Sequence, residues 1–183
     1  MIQLLDTMKY STLKKTDDGS FYASISTDED KPVVVQLNDV KLSEGELSGD
    51  DDVWFNKEDD NCIVAKEQEI LEDIKADPER WFKRKVRDKT IESSFLTNVS
   101  QDGQFRLVKS PGLRVFDKST KDVFEGEFGS DFSCDIIVQL QGITFFKRSF
   151  QVVLKLHQVQ VAPPVVEEIC HDNWTMEEYA FAQ

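Results

Sequence analysis

The sequence predicts a protein of the α+β class that is mainly β, with a small curled β-barrel interrupted by a helical block. Residues 131–161 alternate between apolar and polar side chains, as the two long strands of one hairpin do. Shorter β-branched runs lie on both sides of a stretch with helical periodicity that begins near residue 65. A long hairpin with internal bends is what a small barrel is made from, so we expect this hairpin to form the core.

The first third of the chain predicts two short strands and a long loop. Residues 21–25 and 33–37 are compact β-forming runs bounded by turns that contain Asp, Gly or Pro. Residues 39–60 contain two acidic triplets around an aromatic pair and predict an irregular, solvated segment. A calcium-binding loop would need regularly spaced acids around a central glycine, and that spacing is missing here.

Three helices are predicted within residues 65–97. The first ends at Ala76 and has its apolar residues on one face. Asp77 and Pro78 are typical of a helix start, with the aspartate as N-cap and the proline in the first turn. They predict a second helix that runs to Val86. A third, short helix completes the block.

The remaining strands follow the helical block. Residues 105–108, 113–116 and 123–128 predict three short strands separated by turns. Within the long hairpin, Gly142 predicts a bulge or bend at a residue that is free to adopt positive φ. The alternation changes phase near His157, which predicts a second bulge there or burial on both faces. Residues 1–162 therefore predict one domain, with residues 163–183 as an acidic tail.

Composition limits the classes of function. The three cysteines and two histidines show no metal-ligand spacing, and no catalytic motif is present, so we expect neither a metal, nor a cofactor, nor an enzyme. No apolar run approaches the roughly 20 residues that span a bilayer. The N-terminus lacks the pattern of a secretory signal, which predicts an intracellular protein that is not bound to a membrane.

The net charge of −13 is unevenly distributed. Residues 79–155 contain 10 acidic and 14 basic residues, whereas the segments before and after them are strongly acidic. Within the basic region, cations alternate with phenylalanines, as in proteins that stack bases on rings while cations follow the phosphates. The candidate nucleic-acid-binding residues are Lys83, Arg84, Lys85, Arg87, Arg114, Phe146, Lys147, Arg148, Phe150 and Lys155.

Each candidate also has a structural alternative. Most phenylalanines on a strand belong to the core, and a run of cations also suits a solvated helix face. Because a regular strand turns neighbouring side chains to opposite faces, only one of Phe145 and Phe146 can face inward. We expect Phe146 to face outward.

The end of the chain resembles a known family. Residues 155–161, with the pattern Lys-Leu-x-x-Val-Gln-Val, and residues 177–181, Glu-Glu-Tyr-Ala-Phe, resemble the single-stranded-DNA-binding proteins of short-tailed phages. Counterparts of these proteins occur in nucleo-cytoplasmic large DNA viruses. The Trp81–Phe82 pair followed by basic residues resembles the helical insertion of the viral versions. This resemblance implies a single OB-fold-like barrel and an acidic C-terminal tail.

The resemblance implies non-catalytic binding of single-stranded DNA in viral replication, recombination or repair, in the host nucleus or at a viral replication site. The alternative is a structural or adaptor protein, such as a minor virion component, that acts through protein contacts. The sequence does not decide whether the protein forms a homodimer. In the tail, the residues expected to dock replication proteins, or to cover the DNA site when it is empty, are Trp174, Glu177, Glu178, Tyr179 and Phe181.

Overall fold

The computed structural model describes residues 8–44, 52–57, 62–125 and 132–162. In these ranges the chain is mainly β with a smaller helical part, so the predicted class is confirmed. None of the helices that the structure describes has both the length and the apolar character that crossing a membrane requires.

The strands of the described residues form one sheet whose pairing is partly ring-like. In chain order they are β1 (Met8–Tyr10), β2 (Lys14–Lys15), β3 (Phe21–Thr27), β4 (Val33–Glu44), β5 (Val53–Asn56), β6 (Gln104–Asp117), β7 (Ser133–Phe145) and β8 (Phe150–Ala162). The strands β4, β5, β6, β8 and β7 pair in that order, and β7 pairs again with β4. All of these pairs are antiparallel except β6–β8, which is parallel. The apolar core therefore lies among five strands whose pairings return to their starting point.

The β7–β8 hairpin is the longest pairing, and its two bulges confirm the two predicted irregularities. Ile137 lies opposite Gln158 and Val138 opposite Leu156, so His157 is the extra residue of one bulge. The second bulge lies just before Gly142. After each bulge, the apolar side chains again point toward the core along the curved strand.

Gly142 is required by close approach and not by a positive φ. A Cβ atom at this position would lie 2.4 Å from the carbonyl oxygen of Ala23 and 2.4 Å from the ring of Tyr22. The Tyr22 hydroxyl donates a hydrogen bond of 2.9 Å to the carbonyl oxygen of Gln141. The absent side chain thus allows β3 to lie against the bulged part of β7.

Three strand predictions were wrong in extent. Residues 39–60 are not a continuous loop, because β4 extends to Glu44 and the aromatic pair belongs to β5, which pairs with β6. The two strands predicted before and after Pro111 are one strand, with the proline in an irregular stretch of its pairing with β8. Of the strand predicted at residues 123–128, the described part contributes a bridge from Val123 to Phe116.

Three helices lie between β5 and β6: α1 (Cys62–Ala76), α2 (Pro78–Phe82) and α3 (Asp88–Ser94). The Asp77 side chain accepts a hydrogen bond of 3.2 Å from the backbone nitrogen of Arg80, so the predicted cap is confirmed. The predicted continuation of α2 to Val86 was wrong, because Lys83 adopts a left-handed conformation with φ of 56°. A longer helix would also place like charges four residues apart, which is destabilising.

A buried carboxylate connects the helices to the sheet. Glu67 on α1 is 2% exposed and accepts hydrogen bonds from the Thr97 hydroxyl (2.6 Å) and from the backbone and side-chain nitrogens of Asn98 (3.0 and 2.7 Å). The Asn98 side chain also donates to the carbonyl oxygen of Val152 on β8 (2.8 Å). These bonds fix α1, the segment after α3 and β8 relative to one another.

Candidate functional site

The turn end of the β7–β8 hairpin is packed with aromatic rings. The Phe145 ring lies 5.3 Å from that of Phe150 and 5.5 Å from that of Trp81, and both pairs are stacked. Phe82 meets both phenylalanines edge-on, at 5.8 and 6.0 Å. Phe95, just after α3, lies 5.3 Å from Phe150. Such ring pairs add stability beyond the area that they bury, and they hold α2 over the hairpin end.

Strand pairing arranges part of this aromatic cluster in a row. Phe150 pairs with Phe145, Phe145 with Phe21, and Phe21 with Lys15, so four neighbouring strands each contribute one residue. Directly paired residues have their side chains on the same face of a sheet. Phe145 and Phe150 are covered by α2, whereas Phe21 is 45% exposed.

A cavity of about 500 Å³ opens above this aromatic floor. Its walls come from α2, the segment that follows α2, α3, the β7–β8 turn and the N-terminal strands. The lining residues are Leu13, Phe21, Trp81, Phe82, Lys83, Arg84, Val86, Thr90, Ile91, Ser94 and the continuous run from Phe145 to Phe150. The cavity thus brings together three parts of the chain that are distant in the sequence.

Cations surround the mouth of this cavity. Lys83 and Arg84 line one side of it, and Lys147 and Arg148 line another. The turn that presents the second pair is closed by a hydrogen bond of 2.8 Å from the Phe146 backbone nitrogen to the Ser149 carbonyl oxygen. Among the described residues, none of these four cations forms an ion pair with a carboxylate. Their charge is therefore available to an anionic ligand.

Arg80, also part of the basic cluster in the sequence, has a structural role. Its guanidinium donates a hydrogen bond of 2.7 Å to the carbonyl oxygen of Tyr10 and lies 5.0 Å from the ring centre of Trp81. The Tyr10 hydroxyl donates a hydrogen bond of 2.5 Å to Asp73. Burial and this hydrogen bond raise the pKa of Tyr10 well above its usual value. These contacts tie β1 to α1 and α2.

Phe145 faces inward and Phe146 faces outward, as predicted. Phe145 is 7% exposed and lies in the floor, whereas Phe146 is 43% exposed at the rim. For Phe150 the prediction of a base-stacking ring needs correction, because the ring is 1% exposed and packs against the rings of Phe145 and Phe95. Phe150 therefore supports the floor and does not offer a free face.

The remaining candidates lie outside the cavity. Lys85 and Arg87 are exposed in the segment between α2 and α3, near the cavity but not in its lining. Lys155 lies on β8 between two buried leucines, about 17 Å along the strand from Phe150. Arg114 pairs with Gln158, farther in the same direction. The structure therefore does not bring Arg114 and Lys155 to the cavity, as a single basic face would require.

The sequence prediction also missed residues that the structure places at the site. Leu13 and Phe21 line the cavity, and Lys14 and Lys15 are exposed on β2 beside Phe21. The only signal was a Lys-Lys pair close to an aromatic residue, more than 60 residues from the helical cluster and more than 120 from the turn. The predicted docking residues Trp174, Glu177, Glu178, Tyr179 and Phe181 lie outside the described residues.

Other surfaces of the described residues are weaker candidates for a binding site. A larger and more open groove of about 1120 Å³ lies along α1 and the start of β6, and its lining includes one cation, Lys57, and no aromatic ring. In the part of the chain that the structure describes, no three His, Cys, Asp or Glu side chains are grouped as around a metal ion. The aromatic cavity is thus the site at which exposed rings and unpaired cations meet.

Comparisons with known proteins give a family but not an activity. No curated protein matches the chain. The model of one family, described as a family of unknown function (DUF5871), matches residues 38–183. This match includes α2, the segment after it and the β7–β8 turn, but it excludes β1, β2 and β3. Because the match covers most of the chain, the protein belongs to the DUF5871 family.

Proposed function

We propose that this protein binds single-stranded DNA, without catalysis, at the mouth of the aromatic cavity. The observation that carries the proposal is the convergence of Lys83, Arg84, Lys147 and Arg148 around the exposed ring of Phe146. Proteins that hold single strands without sequence preference combine aromatic platforms with a positively charged groove. A base stacked on Phe146 would leave its neighbouring phosphates beside the cations of the rim.

The strand pairing supports an OB-fold as the scaffold. The OB-fold is a five-stranded, partly open Greek-key barrel that binds oligonucleotides through one face and through the loops that join its first two and its last two strands. In chain order, the five strands of the ring-like pairing are β4, β5, β6, β7 and β8. The turn with Phe146, Lys147 and Arg148 joins the fourth to the fifth, and in an OB-fold it would correspond to one of these binding loops.

The overall negative charge does not oppose this proposal. Exposed charges that are farther apart than about 10 Å are largely screened from each other at 0.1 M salt. A phosphate at the cavity mouth therefore responds mainly to the cations nearby, and the aromatic floor excludes water beneath them. The resemblance of the chain to viral single-stranded-DNA-binding proteins favours a role in viral DNA replication, recombination or repair, with the acidic tail as the segment that contacts replication proteins.

Fluorescence anisotropy with a labelled oligothymidylate tests the proposal. We expect the unmodified protein to bind, with an affinity that falls as salt rises because each neutralised phosphate releases about 0.7 of a counterion. The substitution Phe146→Leu removes the ring but keeps an apolar side chain, and should weaken binding by about 1–3 kcal/mol. Replacing both Lys147 and Arg148 by Ala should weaken binding and flatten its salt dependence.

Matched substitutions elsewhere separate site effects from general ones. Phe124→Leu also removes a partly exposed ring, and Lys41→Ala with Lys121→Ala also removes two exposed cations; none of these residues lines the cavity. These controls should leave affinity unchanged. Absence of binding at low salt, or equal losses in the site and control variants, would overturn the proposal. With no binding, the cavity would instead fit the alternative function, docking of a protein partner.

A further inference from the structure

The N-terminal strands place a second exposed ring and a further cation beside the proposed DNA site. In the row across the sheet, Phe21 lies next to Phe145 and Lys15 lies next to Phe21. Adjacent strands are about 4.8 Å apart, so the row from Phe150 to Lys15 spans about 14 Å. The covered rings are at one end of this row, and the exposed ring and the cation are at the other.

From this row we infer a second nucleotide-binding position, formed by Phe21 with Lys15, which extends the single-strand path from the cavity across β3 and β2. The inference rests on the proposed function and names where the bound strand continues. It adds residues that the match to the family model, which begins at residue 38, does not include.

The exposure of Phe21 supports this position. Its paired neighbour Phe145 is buried under Trp81, whereas 45% of Phe21 remains exposed. Phe21 and Phe146 both line the cavity. Two exposed rings along one cavity are what a strand of stacked bases requires.

The charges around Phe21 are also suitable for phosphate. Lys14 and Lys15 are exposed and form no ion pair with another described residue. In the turn that follows, the Asp18 carboxylate accepts hydrogen bonds from the Thr16 hydroxyl and from the backbone and hydroxyl of Ser20. Those bonds lower the pKa of Asp18 to about 2 and occupy the carboxylate within its own turn. Asp17 offsets part of the charge, and two lysines remain against it.

The β3–β7 contact holds the second position in place. Gly142 on β7 lets Tyr22 on β3 approach, and the Tyr22 hydroxyl bonds to the Gln141 carbonyl oxygen. Tyr22 follows Phe21 directly, so this bond holds the backbone of β3 at Phe21 against the hairpin. The position is thus formed by the packed sheet and does not depend on the ligand to assemble it.

A series of oligothymidylates of increasing length tests this inference with the full chain. Short oligomers that need only the Phe146 position should lose less affinity in the variant Phe21→Leu than longer oligomers do. Longer oligomers that reach β3 should bind the variant about 5- to 140-fold more weakly, which corresponds to the loss of one stacked base. Phe21→Tyr keeps the ring, so its affinity should still increase with oligomer length as in the unmodified protein.

The cation beside Phe21 gives a second readout. Replacing Lys15 by Ala should reduce the steepness of log K against log salt by about 0.7 for long oligomers, since each phosphate contact contributes about 0.7. Lys14 pairs with Tyr22 and faces the other side of the sheet, so Lys14→Ala should change the slope less. For short oligomers the slope should not change. The variant Lys41→Ala controls for a change of net charge away from the site, and thermal melting checks that each variant is folded.

The outcomes distinguish this inference from the function on which it rests. If the unmodified protein binds no oligomer, the proposed function fails. If Phe146→Leu weakens binding and Phe21→Leu changes nothing at any length, the second position fails alone. A loss in Phe21→Leu that is equal at every length would place Phe21 within the first position and would also overturn the extension.

Discussion

The β7–β8 hairpin has paired charges at its open end and unpaired charges at its turn end. At the open end, Lys118 forms an ion pair of 2.8 Å with Asp135, and Asp135 also accepts a hydrogen bond of 3.1 Å from the backbone of Asp39. At the turn end, Lys147 and Arg148 form no ion pair among the described residues and border a cavity. One end uses charge to join strands, and the other has exposed cations beside a cavity.

The aromatic residues of the turn end show the same division over a shorter distance. Phe150 and Phe146 are four residues apart, yet one ring is in the core and the other is at the rim. In a stretch rich in aromatic and basic residues, each ring therefore has to be assigned separately to the core or to a binding surface. Exposure of the ring, together with cations that lack partners, marks the residues that are free to bind.

The largest effect that we predict tests the division between Phe150 and Phe146. Phe150→Ala should lower the free energy of unfolding by about 3–5 kcal/mol, because it leaves a cavity among stacked rings. Phe146→Ala should cost less than about 1 kcal/mol, as exposed positions usually do. Urea unfolding of both variants measures the difference, and equal losses would show that Phe146 belongs to the core.

The second prediction concerns the connection between the helices and the sheet. Glu67→Ala removes the acceptor of three hydrogen bonds and leaves the donors of Thr97 and Asn98 without it. We expect a loss of about 2–3 kcal/mol in the free energy of unfolding. Because the same bonds hold α1 relative to β8, DNA affinity should fall as well. Unchanged melting would mean that water replaces the carboxylate without loss.

The third prediction concerns the packing of β3 on the hairpin. Gly142→Ala adds a methyl group where the Ala23 backbone and the Tyr22 ring leave no space, and should destabilise the fold by about 1–3 kcal/mol. Since β3 must shift, the gain in affinity for long oligomers should decrease more than the affinity for short ones. Gly112→Ala is the matched control, because a Cβ atom there has open space. Similar losses in both variants would contradict this account of Gly142.

The smallest effect that we predict compares Lys118, which forms an ion pair, with Lys147, which forms none among the described residues. Lys118→Ala breaks an ion pair in which the lysine side chain is 44% exposed and the Asp135 side chain 13% exposed, and should lower stability by about 1 kcal/mol, with no change in DNA affinity. Lys147→Ala should leave melting unchanged and reduce the salt dependence of DNA binding by about 0.7. Asp135 raises the pKa of Lys118, so the pair remains formed as pH rises through the ordinary lysine range. A loss of DNA affinity in Lys118→Ala together with a loss of stability in Lys147→Ala would contradict the comparison of the two hairpin ends.

Local periodicity was sufficient to predict several parts of the fold. The alternation in residues 131–161 predicted the hairpin and its two bulges, and Asp77 with Pro78 predicted the start of α2. These signals are short-range, because the pleat of a strand and the cap of a helix depend on residues close in sequence. The same reasoning explains why Phe145 and Phe146 were correctly assigned to opposite faces.

Tertiary pairing decided the rest of the candidate site. No local pattern indicates that Lys15, Phe21, Phe145 and Phe150 form one row, because that row depends on the β3–β7 pairing, which joins Phe21 to Phe145 between distant segments. The register also separates Lys155 from the cavity by several residues along β8. The sequence by itself determined which residues carry rings and charge, and which strands they lie on. Only the packed sheet decided which of them meet, because strand pairing joins positions whose separation in the chain has no fixed relation to their distance in space.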